Sequence, residues 1–225
     1  MAPSQRSGHR IRVARWHGCG VGAFPLFRPE PFVVTSRRTF LLGFAAASLT
    51  MPTSAKGRFT PLFNGNNLDG WTVVGDANWT VKNGMICADK GGFSFLVSAA
   101  SYRDFDLRAE FWVSHDAHSG IFIRCSDRDR ISATSAYEVN IFDTRPDSDY
   151  GTGAIVNVAK VFPMPKAGGR WNVMEIRARG DVFFVALNGG KTVDFARDTA
   201  HADGPIALQY GAGVVKFRSV GISAR

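Results

Sequence analysis

Apolar and polar residues alternate at short intervals along most of the chain, and this alternation constrains the fold more than any other feature. Residues 105–111 carry apolar side chains at every second position, which buries one face of a β-strand and exposes the other. Similar strand-like segments occur at 120–125, 137–142, 171–178, 181–187, 205–210 and 214–219. Many short strands at this spacing predict one all-β domain, a sandwich or a barrel, over residues 56–225.

The segment Asn188-Gly189-Gly190 separates two of these runs. Asn-Gly is a strong hairpin signal because both central residues of a type I′ turn need positive φ, which Asn and Gly tolerate. We therefore expect a tight hairpin at this point, with positive φ at Gly189 or its neighbour.

The first 55 residues differ in composition from the rest of the chain. They hold seven arginines, no lysine and a single acidic residue. Arg37 and Arg38 directly precede an apolar run at 40–51, which is too short to span a bilayer of ~30 Å, and small residues follow as far as Ala55. This order predicts a twin-arginine export signal over residues 1–55 that is cleaved after Ala55. An amphipathic anchor, or an arginine pair that precedes a core helix by chance, is the alternative.

Export predicts a periplasmic or secreted protein with no membrane span after signal removal. The net charge of +8 belongs mainly to the leader, because residues 56–225 carry 20 basic and 18 acidic side chains. A nucleic-acid partner is therefore not expected, since no polybasic stripe remains.

Two cysteines, Cys87 and Cys125, remain after removal of the signal. An oxidising compartment permits a disulfide between them, whereas export of an already folded protein favours two buried free thiols.

An ordered set of motifs extends over residues 58–223. It begins with Phe59-Thr-Pro-Leu-Phe-Asn-Gly-Asn-Asn-Leu-Asp-Gly-Trp71 and continues at 79–84, 102–107, 119–124, 137–143, 151–155, 171–172, 187–189, 204–209 and 217–218. In this order the motifs resemble the 3-keto-disaccharide hydrolase domain family. The resemblance implies a jelly roll of the concanavalin A type, with two curved antiparallel sheets, and a carbohydrate or glycoside as ligand. The implied fold agrees with the alternation of the strands.

This chain departs from the family pattern at two places. Many members carry Gln where it has Asn140, and many carry a His shortly after the Leu-Gln pair, where it has Tyr210 and Gly211. A catalytic role that rests on that His does not transfer to this chain.

The resemblance also implies cleavage of 3-keto-glycosides by acid/base chemistry. In a 3-keto sugar the carbonyl group acidifies the hydrogen on C2, so a base can remove it and the glycosidic oxygen can leave from C1. Such a site needs a base, and a cation or donor for the enolate. Glu138 or Asp143 is the predicted base, and Arg124 is the predicted stabiliser of negative charge. An ordinary glycosidase instead needs two carboxyl groups flanking C1.

Strand parity groups most of these residues on one face. Glu138 and Asn140 share a face, and Arg124 shares parity with Phe122 on the neighbouring run. Asp143 has the opposite parity to Glu138, so the two carboxyl groups reach one cleft only if the strand bends or ends between them. The alternative is that these polar residues form the solvated side of a sheet.

The predicted substrate-binding residues are Trp112, His118, Phe122, Asn140 and Tyr150. Three of these are aromatic and can stack on a sugar ring, and the other two can form hydrogen bonds with it. The pair His115 and His118 could hold a metal, but loop histidines are more often simply exposed to solvent. We therefore expect no metal and no cofactor.

Two functions from different classes fit these observations. One is an exported enzyme that cleaves 3-keto-glycosides or related modified sugars, and the other is a non-catalytic module that binds carbohydrate or another cell-envelope component. The fold does not separate them, because one architecture hosts both classes. Convergence of Glu138 and Asp143 in one cleft favours the enzyme. The sequence leaves the oligomeric state open.

Overall fold

The computed structural model describes residues 59–225, and the predicted export signal lies outside them. The strands are β1 Thr60–Pro61, β2 Trp71–Gly75, β3 Thr80–Lys82, β4 Met85–Ala88, β5 Ser94–Tyr102, β6 Phe105–Val113, β7 His118–Ile123, β8 Tyr137–Ile141, β9 Trp171–Arg179, β10 Val182–Leu187, β11 Gly190–Arg197, β12 Gly204–Ala212 and β13 Val215–Ala224. A short 3-10 helix, Ser148–Tyr150, is the only helical segment in this part of the chain. Residues 59–225 contain no helix that is long and apolar enough to cross a membrane.

The strands form two antiparallel sheets that share one core. The larger sheet has the order β11-β10-β9-β6-β13-β4-β3, with β1 paired to β13, and the smaller sheet has the order β2-β5-β12-β7-β8. Most predicted strands begin and end within about two residues of the observed ones, whereas β13 continues further, to Ala224. The prediction of an all-β jelly-roll sandwich is confirmed.

The core lies between the two sheets, on the apolar side of each alternating strand. Phe105, Leu107 and Phe111 of β6 pack in one cluster with Ile121 and Ile123 of β7, and all five are at most 1% exposed. Burial of each such side chain stabilises the fold by about 1.5–3 kcal/mol. The residues of opposite parity on the smaller sheet are therefore left on its outer face.

A second, smaller apolar cluster covers part of that outer face. Val97, Ala207 and Phe122 come from three neighbouring strands, β5, β12 and β7. Ile131, in the loop between β7 and β8, packs in the same cluster. This loop closes one end of the outer face, and a cleft remains open beside it.

The predicted hairpin joins β10 and β11. Asn188 and Gly189 have φ values of 53° and 80°. Both central residues of the turn are thus left-handed, as a type I′ turn requires, and the predicted positive φ is confirmed.

The two cysteines of the described chain are free thiols. Cys87 lies in β4 of the larger sheet, and Cys125 follows β7 of the smaller sheet and is buried. Burial raises the pKa of the Cys125 thiol to about 12, so this thiol is protonated and unreactive at neutral pH.

Candidate functional site

A cleft of about 340 Å³ lies on the outer face of the smaller sheet. It is lined by Phe93, Phe95, His118, Phe122, Ile131, Ser132, Ala133, Glu138, Arg145 and Gln209. Strands β5, β12, β7 and β8 supply its floor, and the loops before and after β8 supply further walls. Aromatic and aliphatic walls with a few convergent polar groups are typical of a site for a small molecule.

Glu138 is the acidic group of this cleft. It projects from β8 on the side opposite to Tyr137 and Val139, which face the core, and it is 6% exposed. Burial raises the pKa of its carboxyl group from 4.5 to about 7, and the positive charge of Arg145 lowers that pKa by a smaller amount. No hydrogen bond within the described residues offsets this burial. At neutral pH the group is divided between acid and carboxylate, which suits a general base.

His118 and Arg145 supply the other titratable groups of the cleft. The imidazole ring of His118 stacks on Phe142 with 4.2 Å between ring centroids, and Phe93 meets it edge-on at 5.0 Å. Burial lowers the pKa of His118, and the positive charge of Arg145 lowers it further. His118 is therefore mainly neutral at pH 7, so Arg145 is the permanent cation of the cleft.

Two buried amide side chains lie on the same face as Glu138. In the register of the sheet, Gln209 of β12 is opposite Gly120 of β7, and Gly120 is opposite Asn140 of β8. The Nδ2 atom of Asn140 donates to the carbonyl oxygen of Tyr150 at 2.7 Å, which fixes the orientation of that amide. Within residues 59–225, neither Asn140 Oδ1 nor Gln209 Oε1 has a hydrogen-bond partner.

The structure corrects the predicted position of Arg124. Strand β7 ends one residue earlier, and Arg124 has a positive φ of 54°, so strand parity no longer sets its direction. Its guanidinium group donates to the carbonyl oxygens of Arg103 and Gly180 over 2.5–2.9 Å. It also lies 5.1 Å from the ring centroid of Phe183, a core residue. Arg124 therefore ties loops together on the core side of the smaller sheet, whereas Glu138 is on the outer side.

The structure also separates Asp143 from Glu138. The carboxyl group of Asp143 accepts hydrogen bonds from Thr152 Oγ1 at 2.7 Å, from the amide of Ala167 at 2.9 Å and from the amide of Gly168 at 2.8 Å. These bonds anchor the loop before β9 to the end of β8, and Asp143 does not line the cleft. The two carboxyl groups therefore do not form the predicted acid–base pair, and the convergence that would have favoured an enzyme over a binding module is not found.

Trp112 lies on the other side of the molecule from the cleft. It belongs to the outward parity of β6 and is opposite Trp171 in the larger sheet. The ammonium group of Lys216 is 4.7 Å from its ring centroid, and Arg218 is 4.3 Å from that of Trp171. Cations occupy these ring faces. Trp112 therefore does not contact a sugar bound in the cleft, contrary to the prediction.

The remaining predicted residues lie in or beside the cleft. Phe122 forms part of its floor and is 1% exposed, with Phe95 edge-on at 5.1 Å. Asn140 and Tyr150 are connected by the hydrogen bond described above, but the ring of Tyr150 faces Lys160 at 5.9 Å and does not line the cleft.

Sequence reasoning missed seven of the residues that line the cleft, among them Phe93, Phe95, Arg145 and Gln209. Phe95 and Gln209 are directly opposite each other on β5 and β12, with outward parity, and that parity is a signal that could have identified them. Arg145 lies in a loop, where parity assigns no direction to a side chain. The following Pro146 indicates only that the strand has ended.

The fold and the site define a class of protein, the jelly-roll sandwiches with a small-molecule cleft on the outer face of one sheet. Within that class, the 3-keto-alpha-glucoside-1,2-lyase-like domain matches residues 58–223, and the chain belongs to this family. The resemblance stated from the sequence motifs is thereby confirmed.

A curated relative agrees with this assignment, and solved structures share the fold. The 3-keto-disaccharide hydrolase of Bacteroides thetaiotaomicron is 29% identical, over 57% of this chain and 55% of that protein, so the match spans about half of the relative. A proposed glycosyl hydrolase from Parabacteroides distasonis shares the fold at a TM-score of 0.65 and 18% identity, over 74% of this chain and 94% of that one. Carbohydrate-binding module CBM66 from Bacillus subtilis shares the fold at a TM-score of 0.54 and 22% identity, over 69% of this chain and 96% of that one.

Proposed function

We propose that this protein cleaves 3-keto-glycosides by elimination, with Glu138 as the base. The observation that carries the proposal is the single carboxyl group of the cleft. Among the described residues that line it, Glu138 alone is acidic. Hydrolysis by an ordinary glycosidase needs a second carboxyl group within about 5–9.5 Å, on the other side of C1. Elimination next to a carbonyl group needs only one.

In the proposed reaction, the C2–H bond breaks and its proton passes to the carboxylate of Glu138, while the electron pair moves to the C3 oxygen as an enolate. The enolate then re-forms the carbonyl group, a C1–C2 double bond forms and the C1–O bond breaks. The proton held by Glu138 passes to the departing glycosidic oxygen. Addition of water across the double bond completes a net hydrolysis.

Arg145 takes the role that the sequence assigned to Arg124. It lines the cleft, and its positive charge acts on the carboxyl group of Glu138. A cation beside the developing enolate stabilises the transition state more than the neutral substrate, which is what accelerates the reaction. His118, mainly neutral because burial lowers its pKa, can donate a hydrogen bond to the substrate.

The second candidate is a carbohydrate-binding module without catalytic activity. Phe93, which is 59% exposed at the cleft, supports it, because an exposed ring beside polar groups can hold a sugar without any chemistry. The fold it shares with CBM66 is compatible with either function.

Turnover separates the two candidates. Purified protein is incubated with 3-keto-glucosides and with their unoxidised parents, and the released alcohol is measured. We expect release from the keto compounds only, and a loss of about 10²–10⁴-fold in Glu138→Gln, because the amide cannot accept the C2 proton. Binding of both compounds without any release would contradict the enzyme and support the module.

The proposal includes export, since the twin-arginine motif and the small residues up to Ala55 support removal of residues 1–55. The substrate is then met outside the cytoplasm, in the periplasm or the medium.

A further inference from the structure

We propose that Gln209, Gly120 and Asn140 form a subsite that receives hydroxyl groups of the sugar ring on which Glu138 acts. We call this row of residues, which crosses β12, β7 and β8, the amide row. The identity of the ring rests on the proposed function, whereas the existence of a hydroxyl-binding subsite does not.

The first argument is the state of the two amide oxygens. Asn140 is fully buried and Gln209 is 4% exposed, yet Asn140 Oδ1 and Gln209 Oε1 have no hydrogen-bond partner within the described residues. Buried polar atoms are nearly always paired in folded proteins, and an exception calls for an external partner. The bond from Nδ2 to Tyr150 fixes the Asn140 amide, so Asn140 Oδ1 needs a hydrogen-bond donor. A ligand group that both donates and accepts satisfies the Gln209 amide in either orientation. Sugar hydroxyl groups both donate and accept.

The second argument is the glycine that lies between the two amide residues in the sheet. Gly120 separates them, and strands about 4.8 Å apart set the two flanking Cα atoms roughly 10 Å from each other. A Cβ atom at Gly120 would lie 3.2 Å from Gln209 Oε1, 3.3 Å from the carbonyl oxygen of Val139 and 3.4 Å from the ring of Phe122. The backbone conformation of Gly120 is not left-handed. A side chain at Gly120 would therefore push on the Gln209 amide and the Phe122 ring, so the glycine preserves the position of that amide and does not relieve backbone strain.

The third argument is the position of Glu138. It precedes Asn140 by two residues on β8, so the two side chains point to the same face about 7 Å apart. A sugar ring over Gly120 with its hydroxyl groups on the amide row would place its C1–C2 edge within reach of the carboxyl group. The row thus orients the ring, and Glu138 acts on it.

The test is binding, measured by NMR titration so that it does not depend on turnover. The ligands are methyl glucoside, methyl 3-keto-glucoside and their monodeoxy derivatives, each added to protein that carries Glu138→Gln. We expect Gly120→Ala to weaken binding of both parent sugars about tenfold or more. Gln209→Met, which keeps the length of the side chain but removes its oxygen, should weaken the parent sugars but not the deoxy sugar that lacks the contacted hydroxyl group.

Gly190→Ala at the β10–β11 hairpin is the matched control, since it makes the same change away from the cleft. Unchanged affinity in both Gly120→Ala and Gln209→Met would overturn the proposal. So would tight binding of Ca²⁺, Mg²⁺ or Mn²⁺ to the sugar-free protein that is lost in Gln209→Met, because the oxygens would then be metal ligands. If keto-glycosides bind through the amide row but the wild-type protein does not cleave them, the proposed function fails and the subsite stands.

Discussion

Arg145, in the loop that follows β8, lowers the pKa of the carboxyl group of Glu138, which lies within β8. Burial acts in the opposite direction and is the larger effect, so the pKa settles near 7. The result is a carboxyl group that exchanges a proton at neutral pH beside a fixed positive charge. A buried carboxyl group with a raised pKa destabilises the folded protein, and such groups in clefts are typical of functional sites.

The first prediction concerns stability against pH. The folded pKa of Glu138 is about 7 and its ordinary value is 4.5, so the folded state holds the proton more tightly than the unfolded state does. The stability of the folded state is therefore undiminished below about pH 4.5, where Glu138 is protonated in both states. It falls as pH rises from there through the folded pKa near 7. The shift corresponds to a loss of about 3 kcal/mol in the free energy of unfolding.

Urea denaturation of the wild type and of Glu138→Gln at pH 5 and pH 8 measures this loss. Glu138→Gln has no charge to bury and should be more stable than the wild type at pH 8, with the difference falling to about 1 kcal/mol or less at pH 5. The comparison also removes the contribution of His118, whose lowered pKa acts in the opposite direction and is common to both proteins. An equal difference at both pH values would show that the carboxyl group is not desolvated.

The second prediction concerns Arg124. Its side chain is 2% exposed and donates to the carbonyl oxygens of Arg103 and Gly180, so Arg124→Lys leaves buried acceptors without donors. An ammonium group cannot reproduce the planar fork of a guanidinium group. We expect the free energy of unfolding to fall by about 3 kcal/mol, while the turnover rate of the folded fraction stays unchanged. Loss of turnover at an unchanged melting temperature would return Arg124 to the site.

The fold was largely predictable from the sequence because the alternation of apolar residues is a local signal. In β6 and β8, strict period-two alternation of apolar residues identified the strands and the faces of their residues, although both faces of β8 are buried. The hairpin at Asn188 and Gly189 was predictable for the same reason, since two adjacent residues determine its conformation.

The site was only half predictable, because parity holds within a strand and fails beyond its end. Glu138 and Asn140 lie inside β8 and point as predicted. Arg124 is one residue beyond β7, with positive φ, and turns to the core side instead. Trp112 has outward parity, but on the other sheet, and only the order of strands in space shows which outer face carries the cleft.

The third prediction concerns export. Arg37→Lys together with Arg38→Lys conserves the charge of the leader but removes the arginine pair. We expect this double variant to remain in the cytoplasm at its unprocessed length, whereas the wild type is found outside, shortened by about 55 residues. Cell fractionation followed by mass spectrometry of the mature N-terminus measures both. Unchanged export and processing of the variant would exclude the twin-arginine route.

The last prediction concerns Arg145. Arg145→Gln removes the cation that lowers the pKa of Glu138, so the pKa of that carboxyl group should rise further above its present value near 7. A base must be ionised to act, and the acidic limb of the pH–rate profile should therefore move to higher pH. Turnover at high pH, where Glu138 is ionised in both proteins, should still be lower than in the wild type, because the enolate loses its stabilising charge.

Arg130→Gln is the matched control, since Arg130 is 88% exposed on the β7–β8 loop and pairs with Asp127 outside the cleft. We expect its profile to match the wild type. A purely structural role for Arg145 would reduce the rate equally at every pH and lower the melting temperature. The shift of the acidic limb therefore distinguishes an electrostatic partner of Glu138 from a residue that only supports the loop.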